Sequence, residues 1–186
     1  MQLALLIRPV LQQVPRDEFP RVMMTWRGKL LHVHIAPAAS YEMEELAQAQ
    51  LIAGQGIVGD RYYLGTGTYS ARPDVREVTL IEAEVLDAIA QGEPRIPGFK
   101  AKLAPEDHRR NLTTRGVPLS HLVGKRFRVG ETILRAARMN VPCKYIEELL
   151  GLSGLYEGLL NRSGLNCTID VGGVIRPGDL ILPIDE

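Results

Sequence analysis

Two cysteines in 186 residues are too few for a disulfide framework. A reducing cytoplasm suits such a chain, and it has too few cysteines for an iron–sulfur cluster of its own. An excess of one charge is also missing: 22 Lys and Arg balance 22 Asp and Glu, for a formal net charge of zero. That removes any global pull toward nucleic acid or an anionic membrane surface. No apolar run approaches the roughly 20 residues that a membrane helix needs. The apolar start "MQLALLI" has no basic region before it and no small-residue cleavage site soon after, so it reads as neither signal peptide nor anchor. Internal repeats and low-complexity tracts are missing too. What is present is an ordinary globular balance, 45% hydrophobic and 24% charged, in a chain long enough for one domain with a substantial core.

Residues 1–24 differ from the rest. "RPVLQQVPRDEFPR" holds three prolines and no sustained periodicity, and reads as an N-terminal extension to a domain spanning residues 25–186. Met23 and Met24 stand just before the first convincing strand, where a start also fits.

Beyond the extension, "KLLHVHIAP" alternates and ends in proline, as a strand does, with His32 and His34 on one half-exposed face. Their spacing suits a metal, but no third ligand stands nearby. "YEMEELAQAQLIAGQG" is either a helix closed by glycine or an irregular excursion. "GQGIVGDRYYLGTGTYS" lacks the Gly-Lys-Ser/Thr ending of a P-loop, and its glycines imply tight turns or close backbone approach. Val78 to Ile81 suit a strand and Glu82 to Gln91 a short helix, with Gly92 behind it. "VGKRFRVGETILRAAR" alternates around a Val-Gly-Glu turn, as a hairpin should. "SGLYEGLLNRSG" reads as another short helix with Ser153 as its N-cap. "LNCTIDVGGVIRPGDLILPI" reads as two strands turning at Gly172 and Gly173. Strands are many and helices few and short, which predicts a mainly β, barrel-like fold that closes its own edges.

Two stretches carry chemistry. In "NVPCKYIEELLG", Pro142 suits the first helical position, which puts Cys143 in the first turn beside unpaired backbone N–H groups. Arg138 and Lys144 add positive charge nearby in sequence. All three features favour a thiolate, the form that attacks or carries sulfur or ligates a soft metal. Cys167 lies in the alternating "GLNCTIDV" with no local charge and reads as packing. The second stretch, "RRNLTTRG", gathers Arg109, Arg110, Asn111, Thr113, Thr114 and Arg115. Guanidinium forks and hydroxyls suit a phosphate-bearing ligand, and the glycine-rich segment ending at Ser70 offers backbone donors to the same group.

Five blocks in order, "GIVGDRYY", "RRNLTTRGVPL", "LVGKRFRVGE", "RMNVPCKYIEEL" and "GGVIRPGD", resemble the MOSC domain family, which takes its name from the C-terminal domain of molybdenum-cofactor sulfurases. The resemblance runs from about Lys29 to Pro183 and implies a barrel-like, mostly β fold with short helices. It implies that Cys143 is the family's key cysteine, carrying sulfur as a persulfide or coordinating molybdenum. It places Arg110, Asn111 and Thr114 in the stretch that helps line the cofactor site, and Asp60 and Arg61 in the family's Gly-Asp-Arg block. Many stand-alone bacterial members follow that block with His-Gly-Gly; here "YYLGTGTYS" stands instead. The chain has no room for the sulfurases' pyridoxal-phosphate domain, so no pyridoxal phosphate is expected.

Since relatives in that family include molybdenum-cofactor enzymes, the resemblance implies a molybdenum-cofactor-dependent oxidoreductase acting on N-hydroxylated or similar small substrates, with Cys143 as molybdenum ligand and an electron-donor protein as partner. A persulfide carrier served by a sulfur-donor protein, and a binding module for a phosphorylated small molecule, remain the alternatives. Nucleic acid and membrane are not expected partners. An extension that buries little apolar surface contributes little stability, at ~25 cal/mol per Å². A chain beginning at Met24 is therefore expected to fold with nearly unchanged thermal stability. Insoluble protein, or a melting temperature lowered by more than roughly 5 °C, would place the extension within the fold.

Overall fold

The structure, a computed structural model, describes residues 26–71, 75–93, 99 and 101–184. The N-terminal extension lies outside the described residues, apart from the domain's own first residues from Trp26 onward. Among the described residues, eleven short strands and three short α-helices follow in the order β1 (Gly28–Ile35), β2 (Glu44–Glu45), β3 (Ala49–Ile52), β4 (Gly56–Ile57), β5 (Val78–Glu82), α1 (Ala83–Gln91), β6 (Leu112–Arg115), β7 (Arg126–Val129), β8 (Thr132–Met139), α2 (Tyr145–Leu150), α3 (Leu155–Leu159), β9 (Leu165–Val171), β10 (Gly173–Ile175) and β11 (Leu180–Pro183).

Seven strands hydrogen-bond in the order β11-β7-β8-β9-β5-β6-β1, and a β1–β11 pairing closes them into a barrel. Closure leaves no free edge within this ring. Strand β2 hangs from the far end of β1, and β10-β3-β4 form a separate three-stranded sheet. One ring pairing, β5 with β6, is parallel, and its connection carries α1.

Alternation builds the barrel core. In β7, Phe127 and Val129 point inward while Arg128 is exposed; in β8, Leu134 and Ala136 join them. Strand β5 is apolar on both faces because both are covered. Val78 and Leu80 enter the barrel core, while Ile81 enters a second cluster with Val85 and Ile89 of α1, Ile146 of α2, and Leu155 and Leu159 of α3. Helix α1 buries Val85 and Ile89 at a spacing of four and ends at Gly92, left-handed at φ 81°. The Gly92 and Glu93 N–H groups donate to Ile89 O and Ala88 O, the paired bonds of a Schellman motif.

Tertiary pairing overrides local reading at several places. Residues 44–57, open between helix and excursion, form three small strands, because Ala49 and Leu51 are buried against β10. Strand β9 does not turn back at Gly172 and Gly173; it pairs with β5 and β8, and the chain passes on into β10, which pairs with β3. The expected two strands are therefore three. Ser153 is not the cap of α3: Gly154 holds that position, and Glu147 Oε1 accepts the Tyr156 N–H at 3.0 Å. Helix α2 begins at Tyr145, so Pro142 and Cys143 precede it rather than open it. His34 is buried at 1% exposure, not half-exposed, while its neighbour His32 bonds Glu45 at 2.7 Å. Among the described residues no helix is long and apolar enough to cross a membrane.

Gly164 opens β9 against β5, left-handed at φ 87°, where a Cβ would fall far inside contact with Leu80 O. Both the backbone conformation and the lack of space forbid a side chain. Gly164→Ala is expected to destabilise the fold by about 3 kcal/mol or more, read as a lowered denaturation midpoint or insoluble protein; an unchanged midpoint would contradict the close approach.

Candidate functional site

The loops at one end of the barrel enclose a cavity of about 520 Å³. Its walls bring together Arg61, Tyr62, Tyr69, Arg76, Thr79 of β5, Arg109 and Arg110 ahead of β6, Arg138 near the end of β8, Asn140 to Cys143, and Asn166 of β9. Five of these residues are arginines and none is acidic. A smaller lobe of about 70 Å³ shares Arg61, Arg109, Arg110 and Cys143 and reaches Tyr145 and Ile146.

Behind the wall lies a fully buried polar node. Asp60, 1% exposed, accepts hydrogen bonds from Arg61 Nη1 (3.1 Å), Asn111 Nδ2 (3.0 Å), and the Tyr62 and Ala36 N–H groups (3.0 and 3.3 Å). Asn111 Oδ1 accepts from the Thr79 N–H and hydroxyl at 3.1 and 2.8 Å, while its Nδ2 also donates to His34 O at 3.2 Å. Arg61 Nη2 donates to Arg109 O at 2.9 Å. The Gly-Asp-Arg and Arg-Arg-Asn blocks, some fifty residues apart, are therefore one cross-linked unit. A charge this deep is tolerated only because every partner is in place.

Arg110 is clamped on its protein side. Its Nε donates to Ser163 O (3.1 Å), Nη1 to His108 O (3.0 Å) and Nη2 to Ser163 Oγ (2.5 Å). The guanidinium has five N–H donors, so two remain beyond these three bonds. Burial lowers its pKa to about 10, with the neighbouring Cys143 pulling the other way, so it stays cationic at neutral pH. Arg109 holds a left-handed backbone, φ 57°, a conformation costing of order 1–3 kcal/mol outside glycine. Burial and the nearby Arg61 lower its pKa too. Arg61 lies 5.0 Å from the Tyr62 ring and Arg76 5.1 Å from the Tyr69 ring, cation–π distances that help hold this wall.

Cys143 is half-buried and lines both lobes. Its loop is pinned from both sides: Asn140 N–H donates to Gly164 O (2.7 Å), Asn140 Nδ2 to Asn166 Oδ1 (2.5 Å), and Cys143 O accepts from Ile146 N–H (3.2 Å). The thiol thus meets positive charge through arginines brought from distant parts of the chain, not through a helix start. Cys167 sits in the barrel core at 0% exposure, where burial pushes its pKa far up.

Of the residues singled out in the sequence, Cys143, Arg61, Arg109, Arg110 and Arg138 line the cavity. Asp60 and Asn111 stand behind it. Thr114 is buried and donates to Ile81 O, Arg115 pairs with Asp87 on the surface at 2.8 Å, and Lys144 is exposed; none of these three lines the cavity. The N–H groups of Thr66, Gly67 and Ser70 in the glycine-rich segment bond within their own loop, so they are not the expected phosphate donors. Tyr62, Tyr69, Arg76, Thr79, Asn140 and Asn166 reach the cavity without a sequence signal, since only the closed barrel brings together the strands and loops that carry them. Among the described residues no group of three or more His, Cys, Asp or Glu could hold a metal on its own.

The site is thus the rim of a closed β-barrel that carries a thiol and five arginines. The chain belongs to the MOSC domain family: the MOSC domain matches residues 67–182. It is similar in structure to the YUAD protein from Bacillus subtilis (TM-score 0.69, 20% identity, covering 84% of this chain and 96% of that one). It is also similar to YiiM from Geobacillus stearothermophilus (TM-score 0.63, 13% identity, 85% and 75% coverage) and to YiiM from Escherichia coli (0.59, 17%, 85% and 70%). At these identities the likeness is one of fold. No curated protein matches the sequence.

The two thiols should differ in chemistry. Near neutral pH, Cys143 is expected to be alkylated by iodoacetamide at least about tenfold faster than Cys167, because access and thiolate fraction set the rate. Site-resolved mass spectrometry under native conditions measures this; equal rates would remove the reactive role of Cys143.

Proposed function

We propose that this MOSC protein binds a molybdenum cofactor in the arginine-lined cavity and serves as an oxidoreductase for N-hydroxylated or similar small substrates. The observation that carries the reading is that Cys143 shares one cavity with five arginines and no carboxylate. A metal brought in by an organic phosphate-bearing cofactor asks the protein for an anion site and one soft ligand, not a full ligand set. The donor set fits that demand.

In this reading Arg109 and Arg110 hold the phosphate, with Arg138 of the same cavity contributing charge. Arg61, already paired with Asp60, orders the loop behind them. Cys143 offers its sulfur to the metal. The bound cofactor would supply a redox-active metal centre, and electrons would come from a donor protein. The protein's own residues bind, orient and screen the group from water. The second reading, a sulfur carrier, draws on the half-exposed position of Cys143 facing Arg110, which suits a persulfide exchanged with a donor protein.

Metal analysis of protein from a molybdenum-replete host tests this. Wild type is expected to hold molybdenum and Cys143→Ser to lose most of it. Molybdenum-free wild type with an additional sulfur on Cys143 would favour the carrier, and neither would leave the binding module. Arg110→Ala is expected to weaken binding of a phosphorylated pterin by about tenfold or more, whereas Arg128→Ala, exposed on β7, leaves it unchanged. Equal affinities by calorimetry would refute the anion site.

A further inference from the structure

His108 stands directly before the arginine pair, fully buried and outside the cavity. Its ring makes two bonds. Nδ1 lies 2.9 Å from the Arg110 backbone N, and Nε2 lies 2.9 Å from Thr113 Oγ1. A backbone N–H only donates, so Nδ1 carries the lone pair. The proton is then on Nε2, which donates to Thr113. This tautomer follows from the partners alone.

The Nδ1 bond spans two residues and closes a turn over Arg109, the left-handed residue at φ 57°. Asn and Asp hold their own turns the same way, by a side-chain acceptor for the N–H two residues on. Arg110 returns to the same residue through Nη1 and His108 O at 3.0 Å. The backbone and the guanidinium of Arg110 are thus both referenced to His108. The charged and titratable groups facing the ring are Arg110, His34, edge-on at 6.3 Å, and His32 beyond it. Burial, then these neighbours, hold the imidazole well below its ordinary range, in accord with a neutral ring.

We propose that His108 is a positioning residue for the anion site: as the neutral Nε2–H tautomer it fixes the left-handed turn at Arg109 and so aims the Arg109 and Arg110 guanidiniums at a phosphate group. This rests on the reading of the cavity as a phosphate site. It predicts that the acceptor, not the imidazole as such, is what the site requires. Asparagine at this position can accept the same N–H; leucine cannot.

Inorganic phosphate titrated into full-length wild type, His108→Asn and His108→Leu tests this, with melting temperatures measured alongside. His108→Asn is expected to stay within about threefold of wild type, and His108→Leu to lose about tenfold, the equivalent of one lost hydrogen bond to a charged group. The imidazole ¹⁵N spectrum of wild type at pH 7 should show His108 neutral, protonated on Nε2. A charged ring or the Nδ1–H tautomer overturns the proposal, as does an undiminished affinity in His108→Leu or a tenfold loss in a stably folded His108→Asn. Should His108→Leu fail to fold, the spectrum and His108→Asn decide. Wild type that does not bind phosphate fails the anion site itself, whereas wild type that binds with His108→Leu unimpaired fails His108 alone.

Discussion

The Asp60 carboxylate carries the architecture of the rim. It is almost fully buried and accepts bonds from four groups that belong to three parts of the chain: the end of β1 at Ala36, its own turn at Arg61 and Tyr62, and Asn111 ahead of β6. Asn111 extends the same node to β5 through Thr79. Removing one partner of a buried ion pair typically costs about 3–5 kcal/mol, because the other charge is left without compensation. The loops around the cavity are therefore not independently mobile pieces on a barrel. They share one electrostatic constraint, which holds Arg61 directly and reaches the Arg109 backbone through it.

That constraint explains how positive charge can be concentrated here. Arg61 is neutralised from behind by Asp60, while Arg109 and Arg110 are held by carbonyl and hydroxyl oxygens that orient a guanidinium without cancelling its charge. Burial pushes the pKa values of Arg109 and Arg110 down, and repulsion from Arg61 adds to it. In the reading of the cavity as an anion site, a bound anion would relieve that repulsion.

Legibility followed the range of the interactions. The β7–β8 hairpin and α1 are local structures, and alternation, a turn and a C-terminal glycine were enough to place them. The barrel class was legible because many short strands need closure. Residues 44–57 were not, since Ala49 and Leu51 become strand residues only by pairing with β10, over a hundred positions later. The start of α2 was misplaced because Pro142 fits a first helical turn equally well as the residue of a loop pinned by Asn140. The arginine cluster stood out in sequence, yet its composition could not say that Arg115 and Thr114, on the strand beyond, point away from the cavity while Arg138 joins it. His108 gave no signal at all, because its role lies in a bond to the backbone two residues on.

The thiol and the arginine are brought into register by a third element that touches no ligand. Gly164 packs its backbone against Leu80 of β5 so closely that no side chain fits. Its carbonyl accepts the Asn140 N–H, which fixes the loop leading to Cys143. The residue before it, Ser163, receives Arg110 through both its carbonyl and its hydroxyl, and that hydroxyl also donates to Asn140 Oδ1 at 3.4 Å. Asn140 in turn bonds Asn166, two residues beyond the glycine. A displacement of Gly164 would move the sulfur and the guanidinium together. The placement of the thiol relative to the guanidinium thus depends on the close packing of Gly164 against β5, and not only on the loops on which the two side chains are carried.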